Sequence, residues 1–219
     1  MKIWQKITFI FAAAILMVSC SSDNVSGNGK SVTKSRQVAS FTKVQVSGAY
    51  RIVIHQASAS SVKITTDSNI EPLVVTNVKG DTLRIHNKKG VGFSLNRPVL
   101  VELSVKELKQ LSLSGANEIV ATGLNDDKLD MNTNGSAQGS VAGKIDKFKL
   151  QVSGSATIDA SQLVSKKVSV RLTGSGQVKV NATDSLESHI TGSGTVIYSG
   201  DPSDVNQTIV GSGKLERVK

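Results

Sequence analysis

Glycine- and hydroxyl-rich loops are the first residues in this sequence that could do chemistry. The motifs LTGSG (172–176), ITGSG (190–194) and IVGSG (209–213) resemble loops that hold phosphate groups with backbone amides. The Walker pattern is incomplete, because GSGK at 211–214 has Thr208 in place of the first glycine and Leu215 in place of the hydroxyl residue. A nucleotide site is built once per domain, so the repetition favours a structural corner.

Carboxylates form the second set of residues with catalytic potential. They recur near the second predicted turn of successive repeats, at Asp126, Asp127, Asp130, Asp146, Asp184 and Asp201. Paired carboxylates can cleave glycosidic bonds, and carboxylate clusters can bind Ca²⁺. Lysines are interleaved at the same edge, which is typical of a solvated rim. We therefore predict no catalytic residue and no enzyme, and a polysaccharide-binding or polysaccharide-cleaving β-helix protein is the alternative.

The other residues that could bind metals or act as nucleophiles are isolated. His55, His86 and His189 are unclustered and Cys20 has no second cysteine as a partner, so we expect no metal site and no cofactor. The chain carries 26 Lys and Arg against 17 Asp and Glu, and these charges are dispersed. A nucleic-acid-binding tail would show a block of like charge, so nucleic acid is not an expected partner.

The N-terminus has the pattern of a secretory leader. Lys2 and Lys6 precede an apolar stretch at 7–18, and the sequence VSC places a small residue directly before Cys20, as bacterial lipoprotein signals do. We predict that Cys20 is lipidated after cleavage and links the protein to a membrane. The expected location is the outer membrane, with the protein facing the periplasm or the cell surface.

Short alternating segments must position all of these residues. From Phe41 onward Val, Ile, Leu and Thr recur at every second position, which predicts β-strands. Glycines at predicted corners interrupt the alternation, and from Gly115 onward they recur every 18 to 20 residues. The corner glycines are Gly48, Gly115, Gly135, Gly154, Gly174, Gly192 and Gly211. Apolar residues keep even offsets on both sides of each corner, so two strands of a repeat face one core. The predicted fold is all-β, a parallel β-helix or two-sheet β-roll solenoid with about 19 residues per coil.

The same reading divides the chain into three parts. We predict a signal peptide at 1–19, a lipid-anchor cysteine with a flexible tether at 20–40, and a single β-helix domain at 41–219. Within the domain we expect irregular coils at 41–110 and regular repeats at 111–219. The irregular part is expected to contain a helical turn in 69–74, a hairpin in 77–85 and a buried strand in 98–105.

Several motifs together resemble the head GIN domain family, a domain of unknown function in Gram-negative bacteria described as an auto-transporter adhesin. They are the lipoprotein signal, FTKVQVSGAYRIVI (41–54), VKELKQLSLSGANEI (105–119) and the serial SGSA and TGSG corners. The resemblance covers Phe41 to the C-terminus. It implies a right-handed β-helix with a pectin-lyase-like topology and a role in cell-surface adhesion.

These observations lead to one expected function. We predict a lipid-anchored envelope protein that acts as an adhesin or surface-binding module without catalytic activity. Its expected partners are the membrane, through the N-terminal lipid, and a glycan or protein of a host or cell surface. A homo-oligomer that uses the solenoid face or one end is a further alternative.

Overall fold

A computed structural model describes residues 23–218 of the 219-residue chain. The described part is all-β, apart from one 3-10 turn at Glu71–Leu73. Its strands are β1 Asp23–Ser26, β2 Ser31–Arg36, β3 Lys43–Gly48, β4 Tyr50–Gln56, β5 Ser61–Asp67, β6 Val74–Lys79, β7 Thr82–Asn87, β8 Val91–Ser94, β9 Val99–Val105, β10 Gln110–Gly154, β11 Thr157–Gly174, β12 Gln177–Gly192, β13 Thr195–Ser199, β14 Asp204–Gly211 and β15 Lys214–Arg217.

Thirteen of the strands belong to one large sheet, and β1 and β8 pair in a separate two-stranded sheet. The strand order of the large sheet is open, with β15 at one edge and β2 at the other. Its C-terminal half is parallel, and the pairing places Gly154 beside Gly174, Gly174 beside Gly192 and Gly192 beside Gly211. Successive segments therefore pair at offsets of 20, 18 and 19 residues, which we call repeats.

The core lies along the apolar columns that the sequence predicts. Residues four before the corner glycine are buried in five successive repeats: Leu111, Met131, Leu150, Val170 and Ser188. Residues four after it include the fully buried Ile119, Ile158, Val178 and Val196. Because the side-chain period of a strand is two, burial at even offsets on both sides of the corner gives each repeat one continuous inner face.

The corners bring backbones too close together for a side chain. All seven corner glycines have positive φ, between +100° and +138°. At Gly192 an added Cβ would lie 2.6 Å from the carbonyl oxygen of Gly174, and at Gly135 it would lie 2.7 Å from that of Gly115. Glycine is required here both for the backbone conformation and for the close approach of the preceding repeat.

The N-terminal half departs from the repeat in the way the sequence suggests. A 3-10 turn falls within 69–74, and β6 and β7 form an antiparallel hairpin that closes between Lys79 and Thr82. Strand β9 is paired on both edges, parallel to β4 and antiparallel to β5. The expectations of a turn, a hairpin and a buried strand are thus confirmed.

The flexible tether predicted at 20–40 is wrong for most of its length. From residue 23 onward the segment forms β1, which pairs with β8, and β2, which pairs antiparallel with β5. These strands bind through their backbones, and their polar side chains remain largely exposed, as does the hydroxyl pair of Thr33 and Thr65 at 2.9 Å. The prediction relied on apolar side chains, which edge strands do not require.

Ion pairs with one buried carboxylate hold the second of these strands, β2. The Glu71 side chain is almost fully buried, and its carboxylate lies 2.6 Å from Nη2 of Arg36 and 3.4 Å from Nζ of Lys34. Arg36 also donates a hydrogen bond to the carbonyl oxygen of Glu71. The N-terminal segment is therefore held to the 3-10 turn by charge as well as by backbone pairing.

Candidate binding cleft

An open cleft of about 570 Å³ lies over the corners of four successive repeats, and we call it the corner cleft. One wall consists of the residues that directly follow the corner glycines, and the other consists of β8 and the loop after it. The lining residues are Ala49, Tyr50, Asn87, Phe93, Leu95, Pro98, Ala116, Asn117, Glu118, Ser136, Ala137, Gln138, Ser155 and Thr157. A concavity of this size is typical of sites for small molecules or short segments of polymers.

Tyr50 forms the floor of the corner cleft. It comes two residues after Gly48 and is only 1% exposed, at a position where later repeats carry small residues. Its hydroxyl donates to Oδ1 of Asn87, and Nδ2 of Asn87 donates to the carbonyl oxygen of Val91 at 3.2 Å. Burial raises the pKa of Tyr50 well above its usual range, so the hydroxyl remains a hydrogen-bond donor. The tyrosine therefore joins the corner of the first repeat to the start of β8.

Asn117 occupies the same position in the next repeat and is 2% exposed. Its Nδ2 donates to the carbonyl oxygen of Ser114 at 3.1 Å, and its Oδ1 accepts from the backbone amide of Tyr50 at 3.3 Å. Both ends of the amide are thus used to fix the corner, which satisfies the buried polar atoms. Asn117 shapes the cleft, and its polar atoms are not free for a ligand.

The second wall is apolar. Phe93 on β8 and Leu95 just after it are partly buried against the core, and Pro98 is exposed. Strand β1 backs this wall, since Val25 pairs with Phe93 and the amide of Gly27 donates to the carbonyl oxygen of Ser94 at 3.0 Å. The predicted tether is therefore a support for the cleft.

The rim of the cleft carries polar side chains that are available to a ligand. Gln138, Ser155 and Thr157 are exposed, and within residues 23–218 their side chains make no hydrogen bond. Glu118 is the one charged residue among the lining residues of the described chain, and its carboxylate lies 3.6 Å from Nε of Arg51. The cleft thus combines uncharged donors and acceptors with a partly neutralised carboxylate.

The candidate carboxylates lie outside the corner cleft, and most of them contact other side chains or backbone amides. Asp126 accepts hydrogen bonds from the amide of Leu108 at 3.0 Å and from Nε2 of Gln56 at 3.1 Å. Three others pair with basic residues: Asp130 with Lys128 at 2.8 Å, Asp146 with Lys166 at 2.9 Å and Asp201 with Arg217 at 2.7 Å. Asp184 accepts a hydrogen bond from Oγ1 of Thr183 at 2.7 Å, and Asp127 has no ion pair among the described residues. Among the described residues no group of three or more His, Cys, Asp or Glu could hold a metal ion.

Some of the corner glycines predicted from the sequence border the corner cleft, and others lie beyond it. The corner glycines Gly48, Gly115, Gly135 and Gly154 directly precede the lining residues, whereas Gly174, Gly192 and Gly211 continue the row beyond the cleft. Cys20 lies outside the residues that the structure describes. The sequence reading missed Phe93 and Leu95, for which the only signal is an apolar alternation in VGFSL at 91–95.

The described part of the chain is an all-β domain with an open cleft on its surface. Within residues 23–218 no helix is long and apolar enough to span a membrane. The family described as "putative auto-transporter adhesin, head GIN domain" matches residues 40–202, and the chain belongs to this family. The resemblance seen in the motifs is thereby confirmed. A comparison with curated protein sequences finds no match.

Solved structures share the fold. A putative adhesin from Bacteroides fragilis is 19% identical, with a TM-score of 0.72, over 89% of this chain and 100% of its own. A putative adhesin from Parabacteroides merdae and a putative lipid binding protein from Parabacteroides distasonis are each 24% identical, over 90% of this chain and 100% of theirs, with TM-scores of 0.54 and 0.58. The family model and two of these three solved structures are described as adhesins.

Proposed function

We propose that the protein is a non-catalytic binding module of the cell envelope that is anchored by lipid on Cys20 and binds uncharged glycans in the corner cleft. The observation that carries this proposal is the composition of the cleft, in which an apolar wall faces exposed amide and hydroxyl groups. The family description as an adhesin supports a binding role. The contacts of Asp126, Asp130, Asp146 and Asp201 with amide groups and basic side chains support the absence of catalysis.

Charge favours a neutral ligand. The protein as a whole has a formal net charge of +9, yet the lining of the cleft contains a single charged residue, Glu118. A site for a phosphate or a carboxylate would place a basic side chain or free amides at the ligand, because such anions are bound by charge-assisted hydrogen bonds. Arg51 is instead turned to Glu118.

The shape of the ligand follows from the two walls. A sugar ring has an apolar face of C–H groups and an edge of hydroxyls. Phe93 and Leu95 provide apolar contacts for the face, while Gln138, Ser155 and Thr157 provide donors and acceptors for the edge. The polar rim residues belong to neighbouring repeats, since Gln138 pairs with Thr157 at the spacing of adjacent strands, about 4.8 Å. An extended chain of sugars could therefore contact more than one repeat.

A binding experiment with a matched control tests the cleft. The mature chain with Cys20→Ser is applied to a glycan array, and the strongest neutral glycan is then titrated against variants. Gln138→Ala and Phe93→Ala should each weaken binding about tenfold, as expected when a hydrogen bond or an aromatic contact is lost. Gln177→Ala is the control, because Gln177 pairs with Thr157 in the same column of the sheet but lies outside the cleft. Equal effects of Gln138→Ala and Gln177→Ala would contradict the proposal.

The anchor is tested separately. The small residue before Cys20 and the preceding apolar stretch support lipidation, and two or more acyl chains are needed for stable membrane attachment. Cells expressing the full chain are grown with labelled palmitate. Label is expected on the wild-type protein and absent from Cys20→Ala, and label that survives the substitution would contradict the anchor.

The scaffold we propose is the right-handed, two-sheet solenoid with about 19 residues per coil. It is supported by the parallel offsets of 20, 18 and 19 residues and by hydrogen bonds at the corners, such as Ser193 N to Gly174 O at 3.0 Å. In such a coil the residues before and after each corner glycine face each other across one core.

A further inference from the structure

The repeat that contains β14 exposes an inner face that the preceding repeat buries. Val205 and Ile209 on β14 are 39% and 38% exposed, whereas Leu186 and Ile190, their partners in β12, are at most 1% exposed. Within residues 23–218, β14 pairs only with β12 and β15 pairs only with β13. Among the described residues, β14 and β15 therefore each have a free edge beside an uncovered strip of core.

The charges on β15 favour one register for antiparallel pairing of this strand with a second copy of the chain. When β15 pairs antiparallel with a second copy of itself and Leu215 lies opposite Leu215, Lys214 of each copy faces Glu216 of the other. Moving the centre of the pairing from Leu215 to either neighbouring residue changes this, because Lys214 then lies opposite Lys214, or Glu216 opposite Glu216. Opposite charges across an antiparallel pair stabilise it and like charges destabilise it. The strand KLER thus favours self-pairing centred on Leu215.

The backbone of β15 has the required direction. Lys214 and Val218 donate their amides back to the preceding repeat, to the carbonyl oxygens of Gly194 and Tyr198 at 3.0 and 2.9 Å. In a strand the N–H and C=O of one residue point to the same edge, and this edge alternates from residue to residue, so those of Leu215 point to the free edge. Two copies of Leu215 can therefore exchange both of their backbone hydrogen bonds.

We propose that this end binds a second copy of the chain about a two-fold axis that passes through Leu215 and Gln207. Leu215 stands four residues after the corner Gly211, and Gln207 stands four residues before it. In the two-sheet coil proposed above the chain turns back at the corner, so the two residues lie at the same distance from it in facing strands. One axis perpendicular to the strands can therefore relate both strand pairs at once, as a closed dimer requires.

The two-fold axis that the charges of β15 favour also brings the apolar residues of β14 opposite each other. With Gln207 on the axis, Val205 of each copy lies opposite Ile209 of the other, on the inner face. The exposed apolar strip of one copy is then covered by that of its partner. Gln207 meets Gln207 at the centre, above the Ser188 hydroxyl, which is 1% exposed and has no hydrogen-bond partner in the described chain. Charge, apolar pattern and buried polar groups all agree on one axis.

Cross-linking tests the position of the axis. The mature chain with Cys20→Ser contains no cysteine, so a single cysteine introduced by substitution can link only to its own copy. Copies of Leu215→Cys should oxidise to a disulfide-linked dimer, since directly opposed residues have Cα atoms about 5.5 Å apart. The control is Val210→Cys, which is more exposed but three residues from the axis, so that its copies are about 20 Å apart. Cross-linking of Val210→Cys as efficiently as Leu215→Cys would overturn the proposal.

Charge reversal tests the pairing without altering the core. Sedimentation of the same chain should show a monomer–dimer equilibrium, and Lys214→Glu or Glu216→Lys alone should raise the dimer Kd about tenfold or more, because each opposes like charges twice. The double variant Lys214→Glu/Glu216→Lys restores both pairs and should return the Kd to within about threefold of wild type. A wild-type protein that stays monomeric up to about 1 mM, or a double variant as weak as the singles, would overturn the proposal. Loss of glycan binding would not affect these measurements, so the two proposals fail separately.

Discussion

Alanine substitutions at three glycines separate the two reasons why the corners require glycine. Gly192 combines positive φ, +111°, with an added Cβ 2.6 Å from the carbonyl oxygen of Gly174. Gly176 has no positive φ, but an added Cβ would lie 2.5 Å from the carbonyl oxygen of Ala156. Gly80 has φ of +63° and no atom within 4 Å of the added Cβ.

The expected losses of unfolding free energy follow from these contacts. A positive φ costs an alanine about 1–2 kcal/mol, and the lower entropy of the unfolded alanine chain offsets part of this. Overpacking against a fixed backbone costs about 1–3 kcal/mol. We therefore expect losses of about 1 kcal/mol for Gly80→Ala, about 2 kcal/mol for Gly176→Ala and about 3–4 kcal/mol for Gly192→Ala.

Urea denaturation of the mature chain with Cys20→Ser measures the three values. Circular dichroism is the suitable signal, because the single tryptophan, Trp4, lies in the predicted signal peptide and is absent from the chain used. A loss for Gly192→Ala no larger than that for Gly80→Ala would refute the stacking of corner backbones. Gly80→Ala also serves as the control for the general effect of replacing a glycine.

Three further predictions concern charged groups. Arg36→Ala should lower the unfolding free energy by about 2 kcal/mol, less than for a fully buried pair because Arg36 is partly exposed, and hydrogen exchange should increase at residues 31–36 if β2 depends on Glu71. The hydroxyl of Ser161 donates a hydrogen bond to Asp159 at 2.6 Å and lowers the pKa of that carboxyl. The carboxylate therefore contributes to stability above pH of about 4, and this contribution is lost as the pH falls through the folded pKa. Ser161→Ala should raise the pKa of Asp159 in an NMR titration, and an unchanged pKa would contradict the proposed cause. Asp126→Ala and Asp146→Ala should leave any glycan cleavage by the preparation unchanged, and abolished cleavage would support an enzyme.

The regular part of the fold could be predicted because its determinants are local and repeated. Alternation of side chains places Leu150 and Val152 on one face whatever lies beyond the strand, and the backbone geometry at Gly154 leaves no residue type other than glycine. The same repetition separated structural serines from catalytic ones. A periodic pattern therefore predicts a core well.

The rest depends on contacts that leave little trace in the sequence. Strand β2, SVTKSR, pairs through its backbone and so resembles a solvated linker in composition. The cleft joins Tyr50 to Asn87 and β8, which are separated from it by about 40 residues, and no local pattern indicates that they meet. The sequence shows a large residue at position 50, where later repeats have small ones, but it does not indicate that Asn87 is the partner of Tyr50.

With the proposed lipid on Cys20, the early start of β1 would limit how far the protein can extend from a membrane. Asp23 already pairs with Val91, and only two residues separate it from Cys20. Even a fully extended chain of three residues spans about 10 Å, whereas a free tether of the predicted length would have reached several times farther. With a lipid on Cys20, strand β8 and the cleft beside it would sit at the headgroup layer. A protein anchored in this way would bind a ligand at the membrane surface and not one far from it.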